Sequence, residues 1–337
     1  MDWFEKLTGF REAGYDETRA RLVVQGERLR SKVNGASYGI GRLELPSLQA
    51  LRDRAGAAGN LPGRMKVSTV TGDVRRMHRS PENAGALFQV ASQFNLLEMT
   101  CPAVTPEQGV TRYEGDKTQG PACAIAAGAA TIYRNYFVPV EGGHGQTARR
   151  QLDALADLGA SLSEGTGLAV GALWTMENGY AMATERGVDA IARYLRTLPP
   201  DRIDDLRSKL RIGLHHDVEV TDADGPVRPQ VSQAFCAALP ISYCELHSAP
   251  WQPFATLVLE AAYEATLWAA VLNARRGGST VVFLTLLGGH AFGNPHAWIL
   301  AAMRRALDLV RPFELDVRLV SLKAPSPDLV GIAEAYR

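Results

Sequence analysis

Gly288-Gly289-His290-Ala291-Phe292-Gly293-Asn294 follows the apolar run STVVFLTLL (279–287) and leads into a helical pattern that starts near Pro295. Glycines let backbone N–H groups come close to an anion, and the start of the following helix adds a favourable dipole. The chemistry that suits such a loop is phosphate binding, and an aromatic ring inside it can pack on a sugar. The loop matches neither the lysine-bearing phosphate loop nor GxGxxG. A tight left-handed turn without a ligand is the plain alternative.

Carboxylates form the second group of candidates. Asp73 stands directly after the strand-like run MKVSTVT (65–71). It can accept a hydrogen bond from an exocyclic amine, or it can simply cap a turn or helix. The run FQVASQFNLLE (88–98) passes from apolar residues into Gln93, Asn95 and Glu98, and the two amides could read ribose hydroxyls. Glu98, Glu114 and Asp116 flank a polar, Pro- and Gly-rich stretch at 101–121 that leads to Gln119-Gly120-Pro121. Carboxylates beside a glycosidic bond can activate water or stabilise an oxocarbenium-like transition state. Glu98, set among Leu96, Leu97 and Met99, is a better candidate than the solvated Glu114 and Asp116. His215 and His216 are neighbours on a predicted strand and so point to opposite faces, while His144 and His290 stand singly in Gly-rich turns; no metal site is expected.

The elements that must position these residues follow from pattern. Short strands are expected at RLVVQ and within LRSKVNGASYGIGRLEL, turning at Asn34-Gly35, with a helix over 45–56. The loop at 57–63 separates an N-terminal extension (1–60) from the main domain (61–337). A strand from Ala86, a single helix crowded with small residues over 122–138, an amphipathic helix over 148–162 and a hairpin over 167–183 come next. Helices are expected at 186–197, 201–209 and 254–276, and strands at 210–220 and 231–243. The last third reads β–α–β–loop–α–β, which forces parallel strands, crossover helices and a sheet covered on both faces. Ligands of such sheets sit at the carboxyl ends of strands.

Composition narrows the function classes. The 337 residues carry 36 basic and 36 acidic side chains, so there is no net excess of cations to neutralise a nucleic-acid backbone. Four cysteines without a CxxC pair suggest free thiols in a reducing, cytoplasmic setting. The charged start, MDWFEKLTGFREAGYDETRARL, lacks a leader's apolar core, and Glu260 and Glu264 interrupt the most apolar stretch, so no membrane association is expected.

Four segments together resemble macrodomains, in that family's order. VFLTLLGGHAFGNPHAWILAAMRRAL resembles the second ligand loop, and its Gly-x-Ala-Phe-Gly form is similar to that of poly(ADP-ribose) glycohydrolases. VTGDV resembles the family's Gly-Asp-Ile element, Phe88 to Asn95 the strand that ends in its Asn, and QGPACAIAAGAATIYRN its first ligand loop and following helix. VSQAFCAALPISY and the helix at 254–276 match the remaining strand and helix in order. The likeness covers roughly 65–138 and 230–322; the first 60 residues and a middle insertion at about 139–229 have no counterpart.

The resemblance implies an α/β fold with a mixed, mostly parallel central sheet and helices on both faces. It implies that Asp73, with the Val74 backbone, holds an adenine amine and that Asn95 contacts the distal ribose. Gly288, Gly289, Ala291 and Gly293 would cradle a diphosphate, with Phe292 packed on the distal ribose and His290 and Asn294 in the same loop. Gln119 and Gly120 would belong to the opposing loop. The glycohydrolase signature of three glycines and Gln-Glu-Glu is absent, and so is the Asp of hydrolytic macrodomains, so catalysis would fall to Glu98 or Asp116. The expectation is an ADP-ribosyl hydrolase without cofactor or metal, acting on ADP-ribose or an ADP-ribosylated macromolecule, with nucleic acid only as a modified substrate. The alternatives are a non-catalytic ADP-ribose binder and an unrelated α/β enzyme acting on a phosphorylated metabolite.

Overall fold

Leu87–Ala91 and Val281–Leu284 are almost entirely apolar, which leaves neither face of either strand for water, and the two lie side by side in the middle of the sheet. Their Phe88 and Phe283 rings stack with centroids 4.3 Å apart. The computed structural model describes residues 1–57, 62–246 and 250–336. Among these, seven strands form the central sheet in the order Arg42–Glu44, Gly213–Glu219, Gln230–Cys236, Leu87–Ala91, Val281–Leu284, Asp316–Ser321, Lys66–Thr71. The first two pairings are antiparallel and the other four parallel. The sheet is thus mixed and mostly parallel, as expected.

Helices cover both faces. On one, Gln89 donates to Thr266 of the Gln252–Arg275 helix, which packs against Leu48–Ala57 and His296–Val310. On the other, His78 of the Val74–Arg79 helix lies on Phe88, and Gln233 donates to the Cys123 carbonyl of the Gln119–Ala126 helix. Gln252–Arg275 is the one described helix long and apolar enough to cross a membrane, and most of it is buried inside the fold.

Several expectations need correction. The small-residue helix is two helices, Gln119–Ala126 and Gly128–Tyr136. They break at Ala127, where the Gly128 N–H turns to Thr221 Oγ1 (2.9 Å) and the Trp3 ring leaves no room for a Cβ on Gly128. The helix expected over 148–162 runs Ala156–Thr166 instead. Residues before it are drawn out by tertiary bonds, Leu152 N–H to Gln146 and Ala154 N–H to the Phe94 carbonyl. The strand expected over 231–243 stops at Cys236 and gives way to a turn at Ile241–Tyr243. The stretch at 101–121 is not structureless: it contains turns at Pro106–Gln108 and Thr111–Gly115 and ends in the helix that starts at Gln119.

Both segments without a counterpart contribute to the core. Gly213–Glu219, inside the 139–229 insertion, is the second strand of the sheet, and Arg42–Glu44, inside the 1–60 extension, is its edge. The 60/61 boundary itself lies outside the described residues. Trp3, Phe4, Leu7 and Phe10 share a second apolar cluster with Leu97, Met99, Val110 and Tyr113.

Candidate functional site

Every parallel strand of the sheet ends at one cleft of about 680 Å3. In strand order its lining residues are Gly72–Asp73, Ser321–Leu322, Thr285–Phe292, Ala91–Gln93 with Glu98, and Ala238 with Tyr243. Four strand spacings give a span of about 19 Å from Asp73 to Tyr243. A ligand bound here lies across the strand ends, where such sheets place their ligands.

The glycine turn is held rigid from behind. Asn294 donates its side-chain amide to the carbonyls of Leu239 and Gly288 and its N–H to Gly288, while Ser242 binds the carbonyls of Ala291 and Phe292. Gly288 and Gly293 have φ near +70°, and a Cβ would meet Ala238 at 2.4 Å and Ser242 Oγ at 2.3 Å respectively. All these bonds use carbonyl oxygens or the Asn294 N–H. The N–H groups of Gly288, His290, Ala291, Phe292 and Gly293 find no acceptor among the described residues. Donors left free beside a cleft suit an anion.

Asp73 caps the Val74–Arg79 helix, with one oxygen accepting the Arg75 N–H at 2.8 Å, and it remains exposed to the cleft. Asp116 accepts both the N–H and the hydroxyl of Thr118 (2.8 and 2.7 Å). Gln119 lies along the cleft wall, but its amide is spent on the central strand: its oxygen accepts the Ala91 N–H and its nitrogen donates to Gln89 O. Gly120 sits so close to that strand that a Cβ would stand 1.9 Å from the Ala91 carbonyl and 3.0 Å from Glu98 Cγ.

Glu98 is 1% exposed, and neither carboxylate oxygen has a hydrogen-bond partner. Burial pushes its carboxyl up to about 8, opposed by the Arg134 guanidinium 3.8 Å away. Arg134 is itself fully buried, donates to the Leu96 carbonyl and Thr131, and lies 3.8 Å over the Phe235 ring. An unbonded carboxyl on a cleft floor, protonated near neutrality, is equipped to give a proton to a bound group.

Of the expected site residues, Asp73, Val74, Glu98, Asp116, Gln119, Gly120 and Gly288–Phe292 come together around this cleft. Three do not line it. Asn95 is 0% exposed, donates to Gln151 and accepts the Leu97 N–H; it packs against Gly179, and Gln151 in turn donates to Asn178, so it sits behind the turn of the middle hairpin and away from the cleft. Asn294 and Gly293 shape the glycine turn from outside the cleft. His215 and His216 part as expected: His215 lies beside Arg134, while His216 meets Glu44 at 2.9 Å. Among the described residues no group of three or more His, Cys, Asp or Glu side chains could hold a metal.

Sequence reasoning missed Tyr180 and Tyr243. With Phe292 they form an aromatic wall, the three centroid separations running from 5.2 to 5.7 Å, and Tyr180 donates to the Met99 carbonyl at 2.6 Å. Tyr180 follows the Asn178-Gly179 turn, a signal for the hairpin but not for its reach into the cleft.

No family model matches the chain, and no curated protein matches it. Among solved structures, the chain is similar to poly(ADP-ribose) glycohydrolase from Thermomonospora curvata, with 13% identity over 92% of this chain and 93% of that one and a TM-score of 0.45. The structure of that enzyme bound to the inhibitor ADP-HPD gives 13% identity, 92% of each chain and 0.46. Poly(ADP-ribose) glycohydrolase from Deinococcus radiodurans in complex with ADP-ribose gives 13%, 87% of this chain, 93% of that one, and 0.46.

Proposed function

We propose that the protein is an ADP-ribosyl hydrolase that binds ADP-ribose and cleaves its glycosidic or ester link to a modified macromolecule. One observation carries this reading: Glu98, whose carboxyl oxygens are buried and without hydrogen bonds, shares a single cleft with a glycine turn on which the N–H groups of Gly288, His290, Ala291 and Phe292 have no acceptor among the described residues. Asp73 takes the adenine amine at the sheet edge, the N–H groups of Gly288, His290, Ala291 and Phe292 hold the diphosphate, and Phe292 packs on the ribose. Glu98, protonated at neutral pH, gives its proton to the leaving oxygen as the carbon–oxygen bond breaks; water then bonds to the same carbon and its proton passes to the Glu98 carboxylate, which restores the acid. The four cysteines, all free, suit the cytoplasm.

Asp73→Ala should abolish ADP-ribose binding in calorimetry, whereas Glu98→Gln should keep binding and lose release of ADP-ribose from poly(ADP-ribose). Unchanged affinity in the first variant, or unchanged turnover in the second, refutes the scheme. A second reading, binding without turnover, draws on one observation: Asp116 Oδ1 is held by both donors of Thr118, which leaves only its Oδ2 to activate water. It predicts tight ADP-ribose binding and no release from either parent or variant.

A further inference from the structure

Glu12 lies between the helices Trp3–Thr8 and Tyr15–Ala20, far in sequence from every cleft residue. Its carboxylate accepts the N–H of Val110 on both oxygens (2.9 Å), the N–H of Thr111 (2.7 Å) and the hydroxyl of Tyr136 (2.8 Å). Hydrogen bonds to an ionised acceptor are about twice as strong as neutral ones, so this is a firm anchor. The chain is shaped to admit it. Gly109 has φ +81°, and a Cβ there would come 2.4 Å from a Glu12 oxygen.

What Glu12 anchors is the turn between the two carboxylates of the cleft. Tyr113, fully buried in the Thr111–Gly115 turn, accepts the Glu98 N–H on its hydroxyl oxygen at 3.2 Å, and its carbonyl accepts the Asp116 N–H at 3.1 Å. Trp3, Phe4, Leu7 and Phe10 pack in one cluster with Leu97, Met99, Val110 and Tyr113, so the same N-terminal segment holds both sides of Glu98.

We propose that Glu12 is a positioning residue for the reaction, fixing Glu98 on the cleft floor through the 109–116 turn and Tyr113. The inference rests on the reading of Glu98 as the proton donor. It gives the segment from Trp3 to Glu12 a part in placing Glu98. The charged and titratable groups facing Glu98 are Arg134 from the Gly128–Tyr136 helix, Cys123 from the Gln119–Ala126 helix and Tyr113 from the turn. Arg134 and Cys123 have no bond to Glu12, and Tyr113 sits on the turn that Glu12 anchors, so a shift in Glu98 reports the position of that turn and the access of water.

The test compares Glu12→Ala, Glu12→Gln and Glu98→Gln in the full chain, with poly(ADP-ribose) for turnover and ADP-ribose for binding. Glu12→Ala should lower kcat by up to about 10²-fold, the order expected of a small displacement. Its ADP-ribose Kd should stay at the parent value, and the alkaline limb of the kcat profile should move to lower pH as water reaches Glu98. Glu12→Gln, which keeps one acceptor oxygen, should fall between parent and Glu12→Ala; it decides the matter if Glu12→Ala does not fold. Parent kcat and an unmoved limb overturn the proposal, as does a loss of kcat and binding in proportion to the folded fraction. If Glu98→Gln loses turnover while the Glu12 variants keep it, this inference alone fails. If Glu98→Gln keeps turnover, the reading beneath it fails as well.

Discussion

Glu98 and Glu264 are equally buried, at 1% exposure each, yet they sit in opposite chemical settings. Glu264, in the helix layer, accepts from Arg52 (2.6 Å), Arg305 (2.5 Å) and the Trp268 ring N–H (3.2 Å), and those arginines also reach Asp204. Burial alone would raise its carboxyl, but the bonds from Arg52 and Arg305 hold it below its usual value. Glu98 has no such donors, and burial prevails. The difference separates a carboxylate that ties helices together from a carboxyl on the cleft lining with no hydrogen-bond donor. A buried acid that meets its full set of donors stays ionised and structural; one without them is held neutral by burial, with a proton to give.

The largest effect expected of breaking this contrast is on turnover: Glu98→Gln should cost about 10²–10⁴-fold in kcat, and Glu264→Gln should leave kcat unchanged per folded molecule. The roles reverse for stability. Glu264→Gln should lower it by about 3 kcal/mol in urea titration, the low end for a broken buried pair because Asp204 stays beside both arginines.

Stability against pH sharpens the same comparison. Glu98, raised when folded, contributes most below the unfolded value near 4.5, and that contribution is lost as pH rises toward 8. Glu264, lowered when folded, stabilises above the unfolded value and loses its contribution as pH falls through its folded value. The parent should therefore lose stability relative to Glu98→Gln between pH 5 and 8, at up to about 1.4 kcal/mol per unit. Matched melting curves with no divergence would contradict it.

Arg134→Met removes the cation that opposes burial at Glu98, so the alkaline limb of the kcat profile should move to higher pH. The smallest effect expected on binding is that of Asn95→Ala. Affinity for ADP-ribose should stay within about twofold, while stability falls by about 1–3 kcal/mol from the lost buried bonds.

The middle of the sheet was legible from sequence because Leu87–Ala91 and Val281–Leu284 are short apolar runs, and its flanks because Lys66–Thr71 and Asp316–Ser321 alternate. The glycine turn was legible because its residues are adjacent. Asn95 misled because its type fits a ribose, while its actual partners, Gln151 and Leu97, depend on how the middle hairpin folds back. Tyr180, Arg134 and Glu12 were invisible for the same reason: each acts through contacts to residues distant in sequence, which no local pattern records. Glu98 was legible as a semi-buried acid among apolar neighbours, but its lack of hydrogen-bond donors shows only in three dimensions.

The tight seating of Gly120 on the Ala91 carbonyl limits how this site can change. Any larger residue there collides with the main chain before its functional group matters. Engineering a second acid into the pocket by lengthening that helix start is therefore closed off. A new proton acceptor would have to be introduced from the 285–292 turn or the segment around Asp116, where side chains already border open space.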